Sequence, residues 1–585
     1  MILPKESFKL EVNVPAKMRD GTILYADIWR PDTEDKYPAI LTRLPYDKNL
    51  LFTWRPRGYT EPLKYLHAGY VIVIQDCRGR GVSEGEFYPF ISDPEDGYDT
   101  VEWIAAQPWC DGNVGMYGHS ALGGTQWAAA VTQPPHLKTI CPGQCSGIAR
   151  RGQMMRDCGV FRWNNLVSWY LGFCAESLSR TKLPPEELKL LGKRISQMVS
   201  NFEEQCRVLP LKKLDVKELD DIVPFYSDWL THIEDDEYWS QFWNADNVYE
   251  KIVIPAFHHC GWNDDNVSGI LASYQGMKER GGSEPAQKNQ KLIVGPWVHG
   301  AALLNTVGDL NYGAASTGRA IDLTGMHIRW FDYWLKGIDN GIIDEPPVKI
   351  FVMGDNIWRD EYEWPLARTK YTPYYFHSKG GANSRSGDGI LNSDSPADES
   401  TDNYLYDPHN PVPARGGINN PALNIIEVED QEEVEKRTDV LVYTSAPLQF
   451  DLEVTGPIEI KLWASSSAVD TDFTGNLVDV WPNGKAYNLS EGIVRARYRQ
   501  SLSEPNFIEP GKIYEYSIKM KPASNVFKTG HRIRVQISSS NFPKYDRNQN
   551  TGHAVGQDDE VKVAEQTIYH NKQYPSHIVL PVIPR

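Results

Sequence analysis

The chain has 585 residues and a formal net charge of −17, with 41% hydrophobic and 23% charged residues. This composition excludes disorder, collagen and coiled coil as the main class, and no apolar run approaches the ~18 residues of a membrane span. The length exceeds one core of ~250–300 residues and calls for two or three domains, while the acidic balance lacks the basic stripe that nucleic acid requires.

The first ten residues hold no basic stretch followed by an apolar one, so no signal peptide is expected. Eight cysteines (Cys77, Cys110, Cys141, Cys145, Cys158, Cys174, Cys206 and Cys260) lie at irregular spacing before residue 261. This spacing predicts reduced thiols in a cytoplasmic protein, with neither a disulfide framework nor a structural zinc site.

Strand and helix patterns alternate over the first 145 residues. Residues 39–43 and 71–75 are short, apolar, β-branched runs that suit strands buried on both faces of a parallel sheet. Residues 63–68 read as a helix between them. A longer helix follows, capped by Asp93, with Pro94 at its first position, acids Glu95 and Asp96 in its first turn, and Val101, Ile104 and Ala105 as its apolar stripe. Residues 113–117 read as a strand and 123–132 as a helix stopped by Pro134 and Pro135. This alternation predicts an open α/β sheet.

From about 148 to 248 strand patterns vanish. Helices are expected over 184–202 and 226–243, with five tryptophans (Trp163, Trp169, Trp229, Trp239 and Trp243), so the segment reads as a helical insertion. Buried-strand patterns resume at 252–256 and 291–295. Beyond about 345, strand-like runs at 348–352, 441–444, 458–465, 513–520 and 532–538 alternate with turn-forming clusters, the pattern of a β-sandwich. Residues 379–400 read as a long loop and 427–435 as an acidic, solvated face.

The strongest chemical signal is Gly118-His119-Ser120-Ala121-Leu122-Gly123-Gly124, at a strand-to-helix junction. A nucleophile elbow needs this layout, because small neighbours admit the strained turn and a following helix start favours negative charge. The pattern is G-x-S-x-x-G, with Leu122 where the second glycine of G-x-S-x-G would stand. A serine nucleophile needs a base and an orienting acid. Two later segments supply them just past strands, where ligands bind in open α/β sheets: the acids Asp264 and Asp265, and His299. His258 and His259 are adjacent on a strand, point to opposite faces, and read as packing residues.

Further motifs run in the same order as in a known family. These are Arg43-Leu-Pro-Tyr46-Asp-Lys, Asp76-Cys-Arg78-Gly79-Arg-Gly-Val-Ser83-Glu-Gly85, Gly261-Trp-Asn-Asp264, Gly295-Pro-Trp-Val-His299 and Arg437-Thr-Asp439. With the serine motif they resemble the cocaine esterase / X-prolyl dipeptidyl aminopeptidase family of serine hydrolases, nearest its esterase branch. The resemblance implies an α/β-hydrolase core (1–147 and 249–345), an inserted helical cap (148–248) and a C-terminal jelly-roll β-sandwich (346–585). It implies Ser120 as nucleophile, Asp264 as acid and His299 as base, with the Tyr46 hydroxyl and the Ala121 N–H as oxyanion hole. It further implies a small ester or amide substrate, no metal or organic cofactor, no nucleic-acid or membrane partner, and a homodimer.

The sequence departs from the family in three places. Ala121 stands where relatives often carry tyrosine, and Asp265 and Asn266 stand where the esterase branch has glycine and an aromatic residue. Asp265 either caps the following helix or meets a substrate ammonium, as carboxylates do in the related α-amino acid ester hydrolases. Trp163 and Trp169 are the cap tryptophans expected at the substrate. The rival readings are an Xaa-Pro dipeptidyl aminopeptidase or aminoacyl ester hydrolase recognising a free ammonium, and a non-catalytic binding protein.

Overall fold

The computed structural model describes residues 7–50, 61–147, 156–214, 216–219, 223–234, 236–243, 248–420, 424–426 and 428–585. Residues 148–155, where the insertion is expected to begin, lie outside the described residues, as do Asp235 and Glu427.

The first layer is a ten-stranded sheet. Its strands are β1 (Phe8–Lys17), β2 (Ile23–Pro31), β3 (Tyr37–Leu44), β4 (Val71–Asp76), β5 (Cys110–His119), β6 (Leu137–Gly143), β7 (Ala256–Asn263), β8 (Gln290–Val298), β9 (Val348–Val352) and β10 (Ile357–Glu361). They lie in the order β1-β2-β4-β3-β5-β6-β7-β8-β9-β10. The pairs from β4 to β9 are parallel, and the outer pairs antiparallel. Every residue of β4 and β8 is buried, which fits the apolar runs Val71–Ile74 and Leu292–Val294 at their centres.

Helices α1 (Pro62–His67), α2 (Asp93–Ala105) and α3 (Ala121–Ala130) connect the early strands. The α2 cap differs from the sequence expectation. Ser92 holds the N-cap position, and Asp93 instead accepts from Nη1 of the fully buried Arg43 at 3.2 Å. A buried guanidinium must be paired, and this requirement outweighs a cap worth ~1 kcal/mol.

Between β6 and β7 lie α4 (Trp163–Ser177), α5 (Pro185–Ser200), α6 (Phe202–Cys206) and α7 (Phe225–Thr231). The helix expected over 226–243 is broken: α7 ends at Thr231, and a 3₁₀ turn, Glu237–Gln241, follows. His232 leaves helical geometry there and binds Asp236 through Nδ1 at 2.7 Å. These helices bury a shared aromatic core that includes Trp163, Phe173, Phe225 and Trp229.

Strand β7 also differs. It spans Ala256–Asn263, and the apolar run before Pro255 lies outside it. Its polar residues hide it from a hydropathy reading, yet two of them bond across the core: His258 Nε2 meets Gln290 Oε1 at 2.7 Å, and Asn263 donates to Pro296 O at 2.7 Å. Helix α8 (Val267–Arg280) follows, and α9 (Leu323–Lys336) packs its Trp330 and Phe331 into a further core with Ile293 and Phe257.

The C-terminal jelly-roll domain carries the long strands Leu452–Ser466, Asp472–Val480, Ala486–Arg495, Tyr514–Phe527 and Arg532–Ser538. The segment read as a loop over 379–400 contains the short strand Ile390–Asn392. The acidic run is not a solvated face at its end. Glu435 is fully buried, where it accepts from Gln536 Nε2 at 2.9 Å and pairs with Arg534.

Candidate active site

Four of the residues singled out by sequence stand at the C-terminal ends of parallel strands. Tyr46 follows β3, Ser120 follows β5, Asp264 follows β7 and His299 follows β8. The parallel register aims these strand ends at one side of the sheet, so side chains distant in sequence converge.

Ser120 has φ 59° and ψ −129°, a conformation rare for a residue with a Cβ. Its amide donates to Gly143 O at 2.9 Å, and Gly123 N donates back to Ser120 O at 2.8 Å, so the turn is held from both sides. No side-chain cap bond forms from Ser120, which leaves its hydroxyl for other work. The flanking glycines are required sterically. A Cβ on Gly118 (φ 140°) would lie 2.6 Å from Leu122 Cβ, and one on Gly123 would lie 2.8 Å from Cys145 Cβ. Ala121 opens α3, where the first amides have no intrahelical acceptor.

His299 Nδ1 lies 3.1 and 3.2 Å from the two Asp264 carboxylate oxygens. Asp264 is fully buried and also accepts from Asn266 N at 2.9 Å. Burial opposes charge on His299, but the Asp264 carboxylate overrides it and raises the imidazole above its ordinary range. The neighbouring His119, half-buried and facing His299, is pushed down to about 4 by desolvation and by that imidazole. Tyr46 is pushed up to about 12 by burial, so it stays a neutral donor, and Trp169 Nε1 donates to its hydroxyl oxygen at 3.0 Å.

The remaining candidates divide. Trp169 reaches the site through Tyr46 and stacks beside Phe90 and Trp229. Trp163 does not line a pocket: it is fully buried in the cap core and donates to Cys206 O at 2.9 Å. Asp265 does not cap α8, whose N-cap is Asn266. Its carboxylate is held by Lys544 Nζ at 2.8 Å, by Lys521 Nζ at 3.7 Å and by Asn165 Nδ2 at 3.1 Å. Asn266 accepts from Arg162 Nη1 at 3.0 Å and donates to Gln144 O at 3.1 Å. His258 and His259 are both buried in β7, as packing residues are. Among the described residues no group of three or more His, Cys, Asp or Glu could hold a metal ion. All eight cysteines are free thiols.

Sequence reasoning missed Gln144. This buried residue donates to Val298 O at 2.9 Å and accepts from Gly300 N at 2.5 Å, clamping the backbone on both sides of His299. Its left-handed φ of 47° is the structural sign of the role, and a sequence does not display it. Arg80 was missed too. It donates to Pro45 O at 2.8 Å from between the Phe87 and Phe173 rings, and so fixes the loop that carries Tyr46.

A parallel sheet with a serine at a strained strand-to-helix turn defines an α/β-hydrolase. The family model for X-Pro dipeptidyl-peptidase (S15 family) matches residues 20–301, and that for the X-Pro dipeptidyl-peptidase C-terminal non-catalytic domain matches residues 340–579. The chain is 40% identical to a cocaine esterase from a Rhodococcus species, over 99% of both chains. Among solved structures, an aminopeptidase from a marine-sediment Thaumarchaeota archaeon is 25% identical with a TM-score of 0.82, covering 99% of this chain and 97% of its own. An α-amino acid ester hydrolase is 25% identical with a TM-score of 0.80 and the same coverage. The chain belongs to the cocaine esterase / X-prolyl dipeptidyl-peptidase family and is a serine hydrolase. Among the described residues no helix is long and apolar enough to cross a membrane.

Proposed function

We propose that this protein is an esterase that cleaves small acyl esters through an acyl-enzyme. Ser120 Oγ attacks the carbonyl carbon while His299 Nε2 takes its proton. Asp264 holds the imidazole through Nδ1 and stabilises the imidazolium that forms. The oxyanion is bound by the Tyr46 hydroxyl and the Ala121 N–H, a neutral phenol and a helix-start amide. His299 then protonates the leaving alcohol. Water, deprotonated by His299, releases the acid and restores Ser120.

The observation that favours an ester over a substrate with a free ammonium is the state of Asp265. An aminopeptidase or aminoacyl ester hydrolase needs a carboxylate free to meet that ammonium. Here Asp265 already lies between the Lys544 and Lys521 ammonium groups. Glu176, near Tyr46, is likewise engaged by Arg80. The 40% identity to a cocaine esterase over both full lengths supports the same reading.

The test is kcat/KM for p-nitrophenyl butyrate beside Ala-Pro-p-nitroanilide, with Ser120→Ala as control. Ester turnover without anilide turnover, lost in the variant, is expected. Anilide turnover that requires a free N-terminus would overturn the esterase reading in favour of the aminopeptidase one.

A further inference from the structure

The acid loop of the site is held from the C-terminal domain. Lys544 is 1% exposed and lies between Asp265 and Glu491, in contact with both. Glu491, on the strand Ala486–Arg495, also meets Lys521 Nζ at 2.9 Å and accepts from Asn541 Nδ2 at 3.0 Å. Lys521 lies on the strand Tyr514–Phe527. Two ammonium groups and two carboxylates thus balance in a poorly hydrated space, where an unpaired charge is costly. The loop bearing Lys544 is itself anchored on the cap. Pro543 O accepts from Asn164 N at 2.9 Å, and Asp546 N donates to Phe161 O at 3.0 Å.

Asp265 is covalently next to Asp264, so whatever fixes Asp265 fixes the carboxylate that orients His299. We propose that Lys544, acting through Asp265, is a positioning residue of the Asp264–His299 pair, so that the jelly-roll domain completes the catalytic site. This inference rests on the roles given above to Asp264 and His299.

The charged and titratable groups facing His299 are Asp264 and Asp265 from the acid loop, Arg162 from the cap side and His119 from the end of β5. Cys145 and Cys260 face Asp264 as neutral thiols, raised by burial and by that carboxylate. Asp265 raises the His299 imidazole and Arg162 lowers it. Removing the Lys544 charge leaves Asp265 less compensated, which favours the imidazolium. Removing the Asp265 charge does the opposite. A neutral His299 is the form that accepts the serine proton, so the acid limb of activity follows these changes.

The experiment is the pH profile of kcat/KM for p-nitrophenyl butyrate in Lys544→Gln, Lys544→Arg and Asp265→Asn. Each is normalised to the fraction labelled at Ser120 by an active-site phosphonate. Lys544→Gln is expected to move the acid limb up by ~0.5–1 unit, Asp265→Asn to move it down, and Lys544→Arg to restore the wild-type position. If Lys544→Gln does not fold, Asp265→Asn carries the test, since the amide keeps the shape of the carboxylate and Glu491 still pairs both lysines. Fully labelled variants whose limb stays at the wild-type position, or moves the other way, overturn the proposal. Turnover that survives Ser120→Ala would instead overturn the reading of Ser120 as nucleophile, a separate outcome from an unmoved limb.

Discussion

Tyr46 and His299 carry the sharpest single-residue consequences. In the mechanism proposed above, Tyr46→Phe removes one of two oxyanion donors without changing ring volume. It is expected to lower kcat by about 10²–10³ with little change in KM, measurable in steady-state ester hydrolysis. Trp169→Phe removes the hydrogen bond to the Tyr46 oxygen together with part of the indole's stacking on Phe90 and Trp229, and should lower kcat by about three- to tenfold. His299 is raised above its ordinary 6.5 by Asp264, against the opposing effect of burial, and in the proposed mechanism must be neutral to act as base. kcat/KM should therefore fall on acidification with a midpoint above 6.5, and Asp264→Asn should move that midpoint down while lowering kcat by ~10⁴. As candidates, Ser120 and His299 are legible in sequence because each follows a recognisable strand, whereas Asp264 is told from Asp265 only by the family resemblance, since the polar residues of β7 hide the strand before it. Gln144 and Lys544 are not legible. Their roles depend on a left-handed backbone angle and on a contact between residues 279 positions apart, 544 − 265, neither of which leaves a local pattern.

At the level of elements, the turn from β5 into α3 is the most tightly specified. A methyl group on Gly123 would meet both Cys145 Cβ at 2.8 Å and Gly143 O at 2.9 Å, and Gly143 O is the acceptor that holds Ser120 N. Gly123→Ala is expected to lower the melting temperature by several degrees and to reduce phosphonate labelling of Ser120. Strands with continuous β-branched runs, such as β4, were read within a residue of their observed ends. Strand β7 is displaced from its expected place because polar residues interrupt its apolar pattern, and the partners of His258 and Asn263 lie on the neighbouring strand β8. The helix expected over 226–243 ends early because His232 turns out to Asp236, and Trp239 and Phe242 beyond it pack on Trp229 and Tyr88. Asp93 was placed as a cap because nothing near it in sequence announces the buried Arg43.

The whole molecule shares its cores across segments far apart in the chain. Cys260, Trp262 and Val294 of the hydrolase sheet pack in one cluster with Val428 and Val526 of the C-terminal domain. The cap core likewise takes in Tyr498 and Phe542. Arg359 on β10 pairs with Glu453 on the strand Leu452–Ser466 at 2.7 Å. A chain with separable domains would melt in steps. Here differential scanning calorimetry should give a single transition, and Phe542→Ala should lower it as a whole rather than split it.

Trp169 offers one more use. Its indole N–H ends on the Tyr46 oxygen, so any change in what that phenol binds alters the polarity felt by the excited indole. The chain has 18 tryptophans, but only Trp169 has a described bond to this hydroxyl, and a difference trace between wild type and Trp169→Phe isolates its light. The enzyme therefore carries a built-in optical reporter, whose emission in a stopped-flow mixer should step at the rate of acylation and return as the acyl group leaves.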